Sequence, residues 1–299
     1  AGHLASCLVY VSHQRILIRP LISPTGSHPA FDDPRRRVYM SATLGAGGEL
    51  ERAFGRANIQ RVPVPRGWDK QGTGRRFFVF PELTKELSQD PNQLPGWLSK
   101  TISRHGRAAL ITPAKYVSDE IVNAGALPAG YTRMDGHTVE EDMSVFSQEP
   151  KALLDLPNRY DGVDLPDDIC RLLILGGLPA QGDLQERFLY EELGAGAVLQ
   201  ERVRARIVQG TGRATRNPKD HATVLVLGGE LTNFVMRRDV LAALREELQA
   251  EIQFGYDESS GAALADVDDN IDAFLAQNSD WRAVENDIVD GRNSRVRLD

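Results

Sequence analysis

The sequence predicts an α/β fold, a mostly parallel sheet covered by helices on both faces and followed by a helical tail. Three observations carry this expectation. Several short runs are apolar at successive positions, the pattern of strands buried on both faces. Longer amphipathic stretches separate them. The 299-residue chain, 41% hydrophobic and 26% charged, also has a globular balance and the length to bury a real core in one large domain or two smaller ones.

In chain order, Cys7 to Val11 and Ile16 to Ile18 are apolar, β-branched runs separated by Ser12-His13-Gln14-Arg15, which predicts a hairpin. Residues 19–34, rich in Pro, Ser and Gly, read as a loop. After the triplet Arg35-Arg36-Arg37, Val38-Tyr39-Met40 reads as a short buried strand, followed by Ser41-Ala42-Thr43-Leu44, a Gly-rich turn and a helix start at Glu49 to Phe54. The Pro-rich stretch Val62-Pro63-Val64-Pro65-Arg66-Gly67 reads as a linker. Beyond it, strands are expected at Phe77 to Phe80, Ala108 to Ile111, Ala152 to Leu154, Leu172 to Leu175 and Thr223 to Leu227. Helices are expected at 92–104, 115–124, 138–147, 184–193 and 197–210. In the last part, Val240, Leu241, Leu244, Leu248 and Ile252 recur at helical spacing, and an acidic amphipathic run covers Ala265 to Ala276. These read as packing or partner helices.

Composition narrows the function classes. No apolar run approaches the ~18 residues of a membrane span, and the first residues lack the basic start and apolar centre of a signal peptide. The cytoplasm is therefore the default location, with no membrane partner. Cys7 and Cys170 lie far apart in apolar runs, which suits buried hydrophobes in a reduced compartment and excludes a four-thiolate cluster built from this chain. A net charge of −7 argues against a globally basic nucleic-acid binder. Yet residues 202–219 carry Arg202, Arg204, Arg206, Arg213, Arg216 and Lys219 with no acid among them, a local stripe able to bind phosphate. The chain opens Ala-Gly-His, without an initiator Met, and enters a strand pattern almost at once, as though cut from something longer.

Four blocks carry the chemistry, each expected at the carboxyl end of a strand or in the loop that follows. Tyr39 to Leu44 holds two hydroxyls, Ser41 and Thr43, at a strand end, where short hydrogen bonds can join a nucleotide-side network to a neighbouring surface; an ordinary Ser/Thr turn is the plainer reading. Ile111-Thr112-Pro113-Ala114-Lys115 ends a strand in Thr before a helix start, a place that suits phosphate. Leu156 to Asp168 sets Gly162 between Asp161 and Asp164, so the backbone can approach a ligand while Asp164 takes a ribose hydroxyl or orients arginines. Its spacing lacks the pattern of a calcium-binding EF-hand loop. The fourth block, Val208-Gln209-Gly210-Thr211-Gly212-Arg213-Ala214-Thr215-Arg216, is a Q-x-x-G-R-x-x-R string. Two planar guanidinium groups three residues apart suit one anion, although alone such a pair reads as a solvated helix face.

In this order and spacing the blocks resemble motifs III, IV, V and VI of superfamily 2 helicases. More narrowly, Asn158 to Leu165, the segment Gly176-Gly177-Leu178-Pro179 and Gln209 to Arg216 look like the C-terminal helicase half of the XPD- and DinG-type family. The resemblance covers residues 36–230, and the blocks for motifs V and VI are its specific part.

The resemblance implies RecA-like, P-loop NTPase-type architecture, a motor of two such domains with ATP and Mg²⁺ held in the cleft between them. Residues 1–62 would be the end of the first motor domain, 63–230 the complete second one and 231–299 a helical extension. Arg213 and Arg216 would reach the γ-phosphate as arginine fingers, with Gln209 and Gly212 in the same string helping to close the cleft. Gly162 and Asp164 would link the nucleotide to the moving domain, and Ser41 and Thr43 would couple hydrolysis to strand binding. Thr112 and Arg159, by an expected surface position, would touch the backbone of a nucleic acid, single-stranded DNA being the expected partner. The sequence departs from the family in having no G-x-x-x-x-G-K-[ST] and no D-E-x-H string. This chain alone is therefore expected not to hydrolyse ATP and to need the missing first motor domain, in cis or in trans. Whether that domain carries an iron–sulfur cluster is left open. A binding module that engages nucleic acid or completes a partner's ATP site in trans is the alternative.

Overall fold

The computed structural model describes residues 4–40, 49–63, 65, 74–180 and 183–295. The chain divides into two compact units, one formed by Ala1–Val64 and Ala180–Ala205, the other by Pro65–Pro179 and Arg206–Asp299.

In the first unit β1 (Cys7–Val11) and β2 (Ile16–Pro20) make the expected antiparallel hairpin, with Val9 opposite Ile18 and Val11 opposite Ile16. Ser12 closes the turn: its N–H donates to the Arg15 carbonyl at 2.8 Å and its Oγ accepts from the Arg15 N–H at 3.1 Å. One face is packed, because Tyr10 is buried with its ring 5.5 Å from Phe188 and its hydroxyl accepting from Gln185 at 3.1 Å. On the other face Val9, Val11, Ile16 and Ile18 stay 54–71% exposed. The chain continues through the single turn α1 (Pro29–Asp32) to α2 (Glu49–Phe54). The strand expected at Val38 to Met40 does not form; the segment is irregular, and Val38 and Met40 are exposed. An apolar triplet needs a neighbouring strand to close its ladder, and among the described residues none pairs with it.

The second unit opens with β3 (Arg75–Val79), α3 (Lys85–Gln89), α4 (Leu94–His105), β4 (Ala108–Thr112) and α5 (Lys115–Ile121). Next come β5 (Thr132–Asp135), α6 (Gly136–Glu141), α7 (Met143–Gln148), β6 (Ala152–Pro157) and β7 (Leu172–Gly176). Helix α8 (Leu184–Glu191), which carries Gln185 and Phe188, belongs to the first unit. The division between units falls after Ala205, inside α9 (Gly196–Thr211). Then follow β8 (His221–Leu227), α10 (Gly229–Met236), α11 (Arg238–Ala242), α12 (Glu246–Ser259), α13 (Leu264–Ala276) and α14 (Ser279–Asn293).

The six strands form one parallel sheet in the order β3-β8-β7-β4-β6-β5. Helices on both faces explain why its strands are apolar at successive positions. Phe77 and Val79 join one core with Leu110, Leu153, Ile174 and Leu225, while Phe78 and Phe80 are buried outside that cluster. The expected extension, residues 231–299, lies in the same compact unit as the sheet. Val267 and Ile271 of α13 enter the sheet's core, as do Phe274 and, from α14, Trp281, whose ring stands 5.0 Å from Phe77 and 4.7 Å from Phe274. Cys170 is buried, with its thiol pushed up to about 11 by burial, the state of a packing residue; Cys7 is half-buried.

One more expectation needs correction, and one strand was not expected at all. The single helix expected at 138–147 is two, because Asp142 leaves helical geometry and its carboxylate caps α7 at the Ser144 N–H, 2.8 Å away. Strand β5, Thr132-Arg133-Met134-Asp135, is an edge strand with no apolar run to announce it.

At the opposite edge, α12 serves the strand backbone directly. Glu251 Oε1 accepts from the Arg76 N–H at 3.1 Å and Ser259 Oγ from the Phe80 N–H at 3.0 Å. Gly255 sits between them on the same helix face, so close that a Cβ there would stand 2.1 Å from the Phe78 carbonyl oxygen. Gly255→Ala gains about 1 kcal/mol of helix propensity but forces this helix off the strand. The substitution is expected to lower the unfolding free energy by about 3 kcal/mol, read from a urea titration; a neutral or stabilising result would show that the helix shifts freely.

Candidate functional site

The site is built from the loop after β6 and the string that ends α9. Asn158 takes a left-handed conformation, φ +53°, and its N–H donates to the Thr112 carbonyl at 2.7 Å, so the loop leaves β6 tied to β4. From there Tyr160, Val163 and Leu165 turn inward while Asp161, Gly162 and Asp164 stay exposed. Gly162 has φ +93° with open space where a Cβ would be, so backbone conformation, not crowding, selects glycine here.

The string fixes this loop from below. Gly210 leaves room for the Tyr160 ring, whose Cδ1 would lie 3.3 Å from a Cβ at that position. Arg213 is 1% exposed and gives its whole guanidinium to the loop. Nε donates to the Tyr160 carbonyl at 3.2 Å, one terminal nitrogen to the Arg159 carbonyl at 2.6 Å, and the other to the Val163 carbonyl. The Arg213 carbonyl in turn accepts from the Leu165 N–H at 3.0 Å. Burial lowers the guanidinium to about 10, against the pull of Asp161 and Asp164, and it remains charged at neutral pH. Arg216 differs: its side chain is 47% exposed and pairs with Asp164. The two arginines of one string thus face different surroundings, one spent on backbone carbonyls and one at the surface.

The turn after Arg216 is held separately. The buried Asp220 carboxylate accepts from the N–H groups of Arg216, at 2.8 Å, and Asn217, at 3.0 Å. Gly74, at φ +106°, lies against it; a Cβ there would stand 2.8 Å from the Asp220 carbonyl oxygen and 2.9 Å from Thr215 Cβ. This block lies at the amino end of β8, whose first residue, His221, pairs with Arg75. The expectation that all four blocks sit at or after carboxyl ends therefore fails for the string, because the arginines precede their strand.

Beneath the turn Arg76 is buried, donating from one terminal nitrogen to Thr215 Oγ1 at 3.2 Å and from Nε to Glu251 Oε2 at 2.7 Å, with Glu247 at 3.6 Å. Arg75, paired with Glu285, and Arg292 line the same cavity of about 260 Å³. Burial pushes the Glu251 carboxyl up to about 7, opposed by Arg76 and reinforced by Glu247. A carboxyl whose pKa is raised on folding holds its proton more tightly folded than unfolded, so stability is lost as pH rises from the ordinary value of 4.5 to about 7. Relative to Glu251→Gln, the wild-type unfolding free energy is expected to fall across that window by as much as ~1.4 kcal/mol per pH unit and then level off. Urea titrations of both proteins across the window check this; a flat difference would overturn it.

The other expected residues scatter more widely. Thr112 is fully buried, its hydroxyl donating to the Ala114 carbonyl at 3.1 Å, so the surface position expected of it is wrong: the strand runs one residue further and carries it inside. Arg159 is nearer the surface, bonded to Glu140 and to His137 at 2.9 Å. Gln209 is half-buried in the last turn of α9, and Gly212 packs against the Val208 carbonyl, 3.3 Å from where its Cβ would lie. Ser41 and Thr43 lie outside the described residues. The residues missed from sequence are Thr215, Asp220, Arg76 and Glu251. Asn217-Pro218 is a turn signal that could have marked the Asp220 turn; nothing local marks Arg76 or Glu251, which lie far apart in the chain.

Among the described residues no three His, Cys, Asp or Glu side chains converge to hold a metal ion, and no helix is long and apolar enough to cross a membrane.

No family model and no curated protein matches the chain. Among solved structures it is similar to an XPD helicase structure, at 15% identity with a TM-score of 0.50, over 74% of this chain and 44% of that one. It is also similar to an XPD apo structure, at 14% identity and TM-score 0.55, over 78% and 52% of the two chains. The chain thus spans about half the length of these structures. The likeness is one of fold, an α/β RecA-like sheet with helices on both faces.

Proposed function

We propose that this chain is the C-terminal motor half of an ATP-dependent DNA helicase or translocase, acting with a first motor domain supplied in cis or in trans. The observation that supports this most is the division of labour in the string: Arg213 holds the loop, the loop presents Asp164, and Asp164 holds Arg216 at the surface. An exposed guanidinium aligned by a carboxylate exchanges that partner for a phosphate at little conformational cost. On this reading Arg216 meets the γ-phosphate and stabilises the charge that spreads over it during transfer. Arg213 acts through the loop, to which each of its three guanidinium nitrogens donates. Gln209 and Gly212 help close the cleft, and Asp164, once released, and Gly162 line the nucleotide side.

ATP is the substrate, and its phosphate loop and Mg²⁺ ligands belong to the other domain. Arg159, near the surface, is the candidate contact to single-stranded DNA, and the burial of Thr112 makes Thr112 the weaker candidate of the two. Ser41 and Thr43 keep the coupling role that the resemblance gives them. The exposed apolar hairpin face of Val9, Val11, Ile16 and Ile18 supports the need for a further domain.

The test assembles the chain with a motor domain bearing the phosphate loop and measures ATP hydrolysis with and without single-stranded DNA. Hydrolysis that requires both parts and rises with DNA is expected. Salt-dependent DNA binding without hydrolysis would instead favour a non-catalytic binding module, and neither activity would overturn both readings.

A further inference from the structure

Thr215 and Arg216 are neighbours in the string, yet their side chains face opposite environments. Arg216 reaches the surface and Asp164, whereas Thr215 is 2% exposed and accepts from Arg76. Arg76 is in turn fixed by α12, far away in sequence, through two hydrogen bonds to one carboxylate: its N–H to Glu251 Oε1 and its Nε to Glu251 Oε2. Two further restraints act on the same few residues, the Asp220 carboxylate on the Arg216 and Asn217 N–H groups and the Gly74 backbone on Thr215.

We propose that Arg76, Glu251 and Thr215 form a positioning strut by which α12 sets the placement of Arg216, a reading that rests on Arg216 being the residue that meets the γ-phosphate. The geometry favours positioning over simple cohesion. A staple between β3 and α12 needs only the Arg76–Glu251 pair, whereas here the guanidinium forks, one arm to the helix and one to the residue before the arginine. A fork transmits position because its arms are coplanar and cannot move independently. The charge also suits this use: the Glu247 carboxylate, 3.6 Å from the Arg76 guanidinium, offsets its repulsion toward Arg216, so Arg76 can stay close behind it. Arg216 approaches from the exposed side with only Asp164 to release, while its backbone is held from the buried side by groups that take no part in phosphate binding.

The strut predicts a particular kinetic signature. Thr215→Val keeps shape and replaces the hydroxyl that accepts from Arg76 with a methyl group; Arg76→Lys keeps the charge beside Glu251 but replaces the planar fork with a compact ammonium. In the assembled ATPase both are expected to lower kcat about tenfold while KM for ATP stays within about twofold, because the arginine is displaced and not lost. Arg76→Lys is thus expected to behave like Thr215→Val and not like wild type. In the chain alone, both are expected to speed hydrogen exchange of the Arg216 and Asn217 amides about tenfold relative to amides of β4 and β7. A structural staple would instead raise exchange across β3 and α12 together and leave kcat per folded molecule unchanged.

The outcomes are distinguishable. If Arg216→Ala lowers kcat but Thr215→Val and Arg76→Lys do not, the strut is overturned and the assignment of Arg216 stands. If Arg216→Ala leaves kcat unchanged, that assignment falls, and with it the strut's role in catalysis. Unchanged exchange at Arg216 and Asn217 in both variants overturns the strut whatever the ATPase shows. Thr215→Val is near-isosteric and is the variant that decides if Arg76→Lys fails to fold.

Discussion

Replacing Arg213 by Ala is expected to lower the unfolding free energy by about 3 kcal/mol or more, the largest stability effect of any residue in the string. Three loop carbonyls, those of Arg159, Tyr160 and Val163, take their hydrogen bonds from this one guanidinium, and it is almost wholly removed from water. An unsatisfied buried acceptor costs ~1–3 kcal/mol, and the vacated volume adds a cavity term where the loop cannot collapse. Arg213→Lys keeps the charge but can reach fewer of three divergent carbonyls, so it is expected to recover less than half of the loss. Urea titration with tryptophan fluorescence reads both. A loss below about 1 kcal/mol for Arg213→Ala would mean the loop finds other donors, and the idea of Arg213 as its anchor would be abandoned.

Arg216→Ala is expected to do the reverse, lowering kcat of the assembled ATPase about a thousandfold while changing stability by less than about 1 kcal/mol. The small stability effect follows from exposure: both partners of the Arg216–Asp164 pair are about half in water, where such pairs contribute little. The large kinetic effect follows from what a guanidinium does beside a phosphoryl group in transfer, where no solvent molecule replaces its fixed charge. Asp164→Ala leaves the arginine present but unaligned, so its expected loss is nearer tenfold in kcat. The comparison that matters is between the two arginines. Should Arg216→Ala destabilise the fold as much as Arg213→Ala does, their separate roles would be mistaken.

Sequence reading found the sheet well because its strands advertise themselves. Runs such as Ala108 to Thr112 and Leu172 to Gly176 are buried at every position, and that continuity is visible without a structure. It failed where pairing, not composition, decides. Val38-Tyr39-Met40 is as apolar as a core strand but has no partner among the described residues, while Thr132 to Asp135 is polar and pairs with β6 all the same. In β5, Arg133 lies over the buried Asp155 carboxylate, with Nε 2.9 Å from Oδ2, an interaction across strands that no local pattern encodes. The site divides in the same way. The string and the Gly162 loop were legible because their residue types are unusual at that spacing. What was not legible is that one arginine of the pair faces inward: Arg213 and Arg216 are both Arg three residues apart, and only the path of the loop separates them. The buried partners Arg76 and Glu251 were hidden for a further reason, since their charges imply surface positions unless both are known to meet.

The contacts of α12 along β3 have one more consequence. A sheet edge with free donors invites strands from other molecules, and a fold normally blunts it with charge or bulges. At β5 the edge is short and carries Arg133 and Asp135. At β3, Glu251 and Ser259 take up outward N–H groups and Gly255 brings the helix backbone within reach of the carbonyl between them. The helix therefore acts as a guard against intermolecular strand addition during the protein's lifetime in a crowded solution. Mutations that loosen it should be recognised first by turbidity and thioflavin binding, before any change in the average fold is detectable.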